Sequence, residues 1–178
     1  MKTKRILSLF LCAAFIMIAF TNIVNASSPA ADIDTIEEDA SSTPTIDPNN
    51  YTLDELNTYT ETLISNKWGK DQFQFRVYED CVVIDLWGDG IADFAEMAKT
   101  DAEYKDLWDS TVECMRDMSE LFYGQYSNFD MDTYVYVLND KNLDNVLIMT
   151  MDGVRIFDCV NDDEDTGVTI DMTRMRFR

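Results

Sequence analysis

The spacing of apolar residues changes three times within residues 51–160, and this pattern constrains the fold more than any other feature of the chain. Apolar residues recur at helical intervals over residues 53–66, and they alternate or run together over residues 73–87. Helical spacing returns over residues 91–124, and alternation then resumes up to residue 160. The pattern predicts a helix, two strands, a helical region, and then three or four strands.

Local signals mark where these elements begin and turn. Thr52 followed by Glu55 matches a capping box at the start of the first helix. A second capping sequence at residues 100–103 predicts a short helix followed by a long one of about twenty residues that ends at Gly124. The pair Asp152-Gly153 is a strong signal for a two-residue β-hairpin.

These signals together predict an α+β fold, in which an antiparallel sheet of about five strands carries two main helices packed on one face. The expected strands cover residues 73–77, 82–86, 133–138, 145–151 and 154–159. The long helix is expected around residues 103–123. The side chains expected between the helices and the sheet are those of Phe75, Ile84, Trp108, Val112 and Met115.

The first 26 residues have the composition of a secretory signal peptide. A cationic start precedes an apolar run over residues 6–20, and small residues lead up to Ala26. The run is shorter than the roughly 20 residues that span a bilayer, so a retained membrane anchor is the alternative and not the first interpretation. The sequence predicts a protein that is secreted or associated with the cell surface, with no membrane insertion of the mature chain.

The composition changes again after the leader. Residues 27–50 contain six acidic residues and three prolines, with no basic and no aromatic residue. Such a segment buries too little apolar surface to offset the entropy of ordering it, which predicts a disordered acidic linker. Residues 51–178 have the right length for a single α+β domain. Within them, residues 167–177 are the candidate for a last edge strand with a basic end.

The charge and the missing residue types exclude several functions. The chain carries 34 acidic and 14 basic residues, and loss of the leader leaves 34 against 11, a net charge of −23. This charge repels nucleic acid and anionic membranes, so neither is expected as a partner. The chain has no histidine, which excludes Ser-His-Asp and Cys-His catalysis and zinc sites built on imidazole.

Three cysteines follow the leader: Cys81, Cys114 and Cys159. An odd number permits at most one internal disulfide, and the spacings match no metal site. Each cysteine lies among apolar neighbours, so the expected role is that of a small buried side chain. A disulfide between two of them is the alternative.

Two segments of the chain resemble a family of small exported domains that are common in Gram-positive anaerobic bacteria. The segments are residues 82–91 and residues 138–148, with Asp152-Gly153-Val154 behind them. Members of that family often follow a signal segment and an acidic linker, and the resemblance spans residues 51–160. The family has no assigned biochemical activity. The resemblance therefore implies export and an α+β fold, and it transfers no catalytic residue.

Four acidic residues match ligand positions of a calcium-binding loop: Asp85, Asp89, Asp93 and Glu96. Gly90 falls at the position where the template turns sharply. Trp87, however, stands at a ligand position, and the element before the loop is a strand instead of a helix. The alternative is a strand-to-helix turn in which Asp89 caps the helix. No other cofactor is expected.

Aromatic residues on the predicted central strands offer a candidate interaction surface: Trp87, Tyr134 and Tyr136. Aromatic rings on one sheet face suit a partner protein or sugar rings, and ordinary cross-strand pairing is the alternative. The sequence favours an exported, non-catalytic interaction domain that acts at the cell envelope or outside the cell on a protein or an envelope glycan. A calcium-binding surface module and a carboxylate-dependent glycan hydrolase are the alternatives.

Overall fold

The computed structural model describes residues 50–162, which form three α-helices, a short 3₁₀ helix (Ser127–Phe129) and five strands. The predicted leader, residues 27–49 of the linker and the predicted strand at residues 167–177 lie outside the described residues. The helices are α1 (Leu53–Trp68), α2 (Ile91–Ala98) and α3 (Ala102–Tyr126). The strands are β1 (Phe73–Val77), β2 (Cys81–Leu86), β3 (Asp132–Asn139), β4 (Asn142–Met151) and β5 (Val154–Asp158).

The five strands form one sheet in their order along the chain, from β1 to β5. Neighbouring strands are antiparallel except for β2 and β3, which are parallel. The predicted α+β class is confirmed, with a mostly antiparallel sheet and the helices on one face. The single parallel pair arises because α2 and α3 connect β2 to β3 and return the chain to the same end of the sheet.

The helix boundaries follow the local signals closely. Thr52 and Glu55 form the predicted capping box at α1, and the Asp101 side chain accepts a hydrogen bond from the Glu103 amide at the start of α3. Helix α3 continues past Gly124 to Tyr126, beyond its predicted end. Tyr126 is fully buried, so packing keeps the last turn helical although glycine has a low helix propensity.

The main core lies between the three helices and one face of the sheet. Trp108, Met115, Ile84 and Val112 are buried there as predicted, with exposures of 4% or less. Phe75 is only partly buried, because β1 is an edge strand. A β-bulge places Leu147 beside Ile148 on this same face, since Val137 pairs with Ile148 and the next residue of β3 pairs with Val146.

Two buried polar contacts attach α3 to the rest of the domain. Near its start, the Trp108 indole Nε1 donates to the Asp158 carboxylate over 2.7 Å, and both residues are completely buried. At its end, the Tyr126 hydroxyl lies 3.0 Å from Asn57 Oδ1 and 3.1 Å from Thr60 Oγ1 on α1. Each contact pairs polar groups that would be costly to bury alone.

The β4–β5 hairpin has the predicted two-residue turn. Asp152 and Gly153 have φ values of 51° and 81°, as a type I′ turn requires. The Gly153 amide donates to the Ser119 hydroxyl over 2.9 Å, and a Cβ atom at position 153 would lie 2.9 Å from Glu120 Cβ. Glycine is therefore needed here both for the backbone conformation and for the close approach of the hairpin to α3.

None of the helices within residues 50–162 is both long and apolar enough to cross a bilayer.

Replacing Trp108 with alanine should lower the free energy of unfolding by about 3–5 kcal/mol, because it empties a large buried site. Denaturant unfolding followed by circular dichroism measures the loss. Leu107→Ala is the matched control, since Leu107 is 39% exposed on the same helix and its truncation should change stability by less than about 0.5 kcal/mol. A Trp108→Ala protein within 1 kcal/mol of wild type, on the order of an ordinary surface change, would contradict this core.

Candidate functional site

The side of the sheet opposite the helices, here called the far face, carries a second buried cluster. Its buried members are Cys81, Val83, Tyr136, Leu138 and Met149, all with exposures of 8% or less. The half-buried side chains packed against them are Tyr78, Trp87, Tyr134, Val146 and Phe157. All of these described residues lie on strands or directly beside them, and none lies on a helix. The far face is thus an apolar and aromatic surface built by the sheet alone.

The structure places the three predicted aromatic residues on this one face. Tyr134 and Tyr136 follow each other on β3, and their rings stack with centroids 6.4 Å apart and an interplanar angle of 7°. Trp87 directly follows β2, diagonal to Tyr136, because Asp85 pairs with Tyr136 in the register. Trp87 and Tyr134 are half-buried, whereas Tyr136 is 3% exposed. Of these three residues, only Trp87 and Tyr134 therefore present ring surface to a ligand.

Why these side chains share a face follows from the strand period. Residues 81, 83 and 85 of β2 and the following Trp87 point to one side of the sheet, and residues 134, 136 and 138 of β3 lie beside them. Phe157 also reaches the far face, and the sequence pattern did not identify it. A register shift in the β4–β5 pair leaves Ile156 as an extra residue, so simple alternation along β5 fails.

A charged pair lies within the far face. The Arg76 guanidinium on β1 forms an ion pair with the Asp85 carboxylate on β2, and Asp85 is 6% exposed. Burial raises the pKa of the neighbouring Tyr136 hydroxyl, and the adjacent Tyr134 and Asp85 raise it further. Tyr136 therefore stays protonated and neutral near neutral pH.

The four residues of the predicted calcium loop have separate surroundings. Asp85 pairs with Arg76 on the far face, and Asp89 is exposed beyond the end of β2. Asp93 and Glu96 are exposed on α2, where they form ion pairs with Lys141 and Lys99. In the part of the chain that the structure describes, no three acidic or cysteine side chains are grouped so that they could hold a metal ion. Calcium binding stays a prediction that this arrangement does not favour.

The cap of α2 comes from a distant residue. Gly90 occupies the N-cap position with a φ of 89° and so provides no side-chain cap. The Asp140 carboxylate, in the β3–β4 turn, accepts hydrogen bonds from the Gly90 amide at 2.8 Å and the Ala92 amide at 3.0 Å. A carboxylate at this position is also stabilised by the positive, N-terminal end of the helix dipole. Asp140 therefore performs the capping role that the sequence suggested for Asp89.

Asp132 and Asp152 lie at the end of the sheet opposite to Asp140. Asp152, in the β4–β5 turn, lies beside the start of β3, where its Oδ1 accepts from the Thr133 amide at 2.7 Å. Burial raises the pKa of Asp152, and the charge and hydrogen bond of Asp132 raise it further, while the Thr133 amide opposes the shift. Sequence reasoning read Asp152 only as a turn residue and so missed this pair.

The three cysteines of the domain are free thiols. Cys81 lies in the far-face cluster, and Cys114 and Cys159 are partly buried against the main core. Burial raises the pKa of Cys81 to about 11 and that of Cys159 to about 12, and it also raises the pKa of Cys114. These thiols are therefore protonated near neutral pH and have little nucleophilic character.

Comparisons of the chain with protein-family models, with curated proteins and with solved structures found no match.

Asp152→Asn should raise the thermal unfolding midpoint at pH 7. A carboxyl group whose pKa is raised by folding contributes most to stability below its unfolded pKa of about 3.9, and the contribution is lost as the pH rises through the folded pKa. Asparagine mimics the protonated form, can still accept from the Thr133 amide and tolerates the positive φ. The gain should therefore shrink towards zero as the pH falls below about 4.

Asp130→Asn is the matched control, because Asp130 is an exposed acid that also has a positive φ. It removes one negative charge and tests the same backbone preference away from Asp132. Calorimetric melting from pH 3 to pH 8 compares the two variants, and equal pH profiles would refute the coupling between Asp132 and Asp152.

Proposed function

We propose that this chain is an exported, non-catalytic binding domain that contacts its partner through Trp87 and Tyr134, two half-buried residues here called the aromatic rim of the far face. The observation that carries the proposal is the position of Trp87 and Tyr134, two half-buried aromatic side chains on one sheet face next to buried Tyr136. Half-exposed aromatic rings provide a large contact area at a low entropic cost and stack well on apolar or sugar surfaces.

The surroundings of the rim support binding in preference to catalysis. The nearest thiol, Cys81, is buried and protonated, and the Asp85 carboxylate is neutralised by Arg76. The reactive groups beside Trp87 and Tyr134 are therefore either protonated or paired, which does not favour the hydrolase alternative.

The charge of the domain narrows the class of partner. A protein with 34 acidic residues repels nucleic acid and anionic membranes, but it can approach neutral glycans and basic protein surfaces. The signal peptide expected at residues 1–26 and the acidic linker would carry this domain to the cell envelope or the extracellular space.

Binding of residues 27–178 to purified cell-envelope glycan, measured by sedimentation of the insoluble polymer, tests the proposal. The double variant Trp87→Ala/Tyr134→Ala should weaken binding about tenfold or more, because losing roughly 1.4 kcal/mol of contact corresponds to that factor. Backbone hydrogen bonds of Trp87 persist in the variant, since its amide donates to Gln72 and its carbonyl accepts from Trp68.

Tyr123→Ala is the matched control, because Tyr123 is an aromatic residue of α3 with 38% exposure, away from the far face. It should bind as wild type does. Equal binding by the double variant and by wild type would refute the aromatic rim. Glycan cleavage that a single Asp or Glu substitution abolishes, detected by mass spectrometry of the products, would replace the binding role with the hydrolase.

A further inference from the structure

The centre of the far face is deeply buried. Tyr136 is 3% exposed and Met149 is 1% exposed, although no helix within residues 50–162 contributes to their cluster. Cross-strand neighbours shield the edges of such side chains, but an open antiparallel sheet normally leaves one face to solvent. The far face is thus an apolar sheet face on which no described helix packs, and it offers a docking surface to another segment of the chain.

Charge distinguishes the two ends of the chain as candidates. Residues 50–162 contain 24 acidic and 8 basic residues, a net charge of −16. Residues 27–49 add six acidic and no basic residue, so they are repelled by the domain. Residues 163–178 contain four acids, all before residue 172, whereas the last seven residues contain Arg174, Arg176 and Arg178 and no acid, which makes them the most basic stretch after the leader.

The same C-terminal segment has the apolar side chains that the far face needs. Val168, Ile170 and Met172 alternate along it, and Met175 and Phe177 lie between the arginines. In an extended chain this alternation places Val168, Ile170 and Met172 in one row, and the three arginines continue the same row. Residues 27–49, by contrast, contain no aromatic residue.

The C-terminal segment is also long enough to cross the far face from β5 to β2. Sixteen residues follow Asp162, and an extended chain covers about 3.3 Å per residue, or roughly 50 Å in all. From β5 to β2 the sheet measures three strand spacings, about 14 Å. Asp162 also stands at a defined place beside β5, because its carboxylate accepts from the Asp158 amide at 2.8 Å and lies 3.2 Å from Arg155.

We propose that residues 163–178 cover the far face, with their apolar side chains on the cluster around Tyr136 and their arginines against the acidic residues at its margin, which include Asp80 and Asp132. This proposal goes beyond the proposed function, because it concerns the occupant of the buried centre of the face and not the partner of its rim. It makes the C-terminal segment part of the fold.

Cys81 is the reporter for the test, since it is a buried member of the cluster with 2% exposure. With Cys114→Ser and Cys159→Ala in the background, maleimide labelling of residues 27–178 reads the protection of Cys81 alone. Cys81 should react slowly with maleimide in residues 27–178. In residues 27–162 it should react at least about tenfold faster. Residues 50–178 should keep the protection, because the acidic linker is not the cover. Circular dichroism verifies that each chain is folded.

A full-length variant keeps the test valid if the truncated chain does not fold. Arg174→Glu/Arg176→Glu/Arg178→Glu should speed the labelling of Cys81 at low salt, and the matched triple lysine variant should label as the parent does. The proposal fails if residues 27–162 are folded and protect Cys81 as well as residues 27–178 do, or if charge reversal has no effect. It also fails if protection depends on residues 27–49, or on protein concentration, which would identify a second copy as the cover. None of these measurements involves the glycan, so this outcome is independent of the proposed function.

Discussion

The buried hydrogen bond between Trp108 and Asp158 is the contact on which the arrangement of the other elements depends. It joins residues 50 positions apart, one near the start of α3 and one at the end of β5. Helix α3 packs on β3, β4 and β5, so fixing one end of the helix to the last strand sets how the helix lies across the sheet. A buried carboxylate is stable here only because it is well paired. Asp158 also accepts from the Val160 amide at 3.0 Å and from the Arg155 guanidinium at 3.4 Å.

The two faces of the sheet differ because the helices pack on only one of them. On one side the helices close the main core, and the bulge at Leu147 increases the apolar surface that they cover. On the other side the far face has the half-buried rings of Trp87 and Tyr134 beside a buried centre, and the Arg76–Asp85 ion pair lies next to that centre, towards edge strand β1. The binding role that we propose uses the rim, and the proposed C-terminal cover uses the centre. Both proposals follow from a sheet whose second face is apolar although no described helix packs on it.

Features that depend on neighbouring residues could be predicted from the sequence. The Thr52–Glu55 capping box and the Asp152-Gly153 turn act within a few positions, and the structure has both. The α+β class and the burial of Trp108 followed from apolar periodicity, which reports directly on which side of a helix or strand faces a core.

Features that depend on distant residues could not be predicted. Asp140 caps α2 from 50 positions away, and Arg76 pairs with Asp85 only because β1 and β2 align in one register. The spacing of Asp85, Asp89 and Asp93 resembled a calcium loop, but spacing alone does not show that the first of them lies within a strand. The parallel pairing of β2 with β3 likewise follows from the path of the chain through two helices, and local patterns do not reveal it.

A double-mutant cycle on Trp108→Phe and Asp158→Ala measures the central contact most directly, because phenylalanine removes the indole N–H and the cycle cancels the other partners of Asp158. The free energy of unfolding of the four proteins, from denaturant titration, gives the coupling. We predict a coupling of about 1.5–3 kcal/mol, as expected for a hydrogen bond to a charged group. Effects that add within about 0.3–0.5 kcal/mol would show that the two residues do not interact, and would contradict this account of the fold.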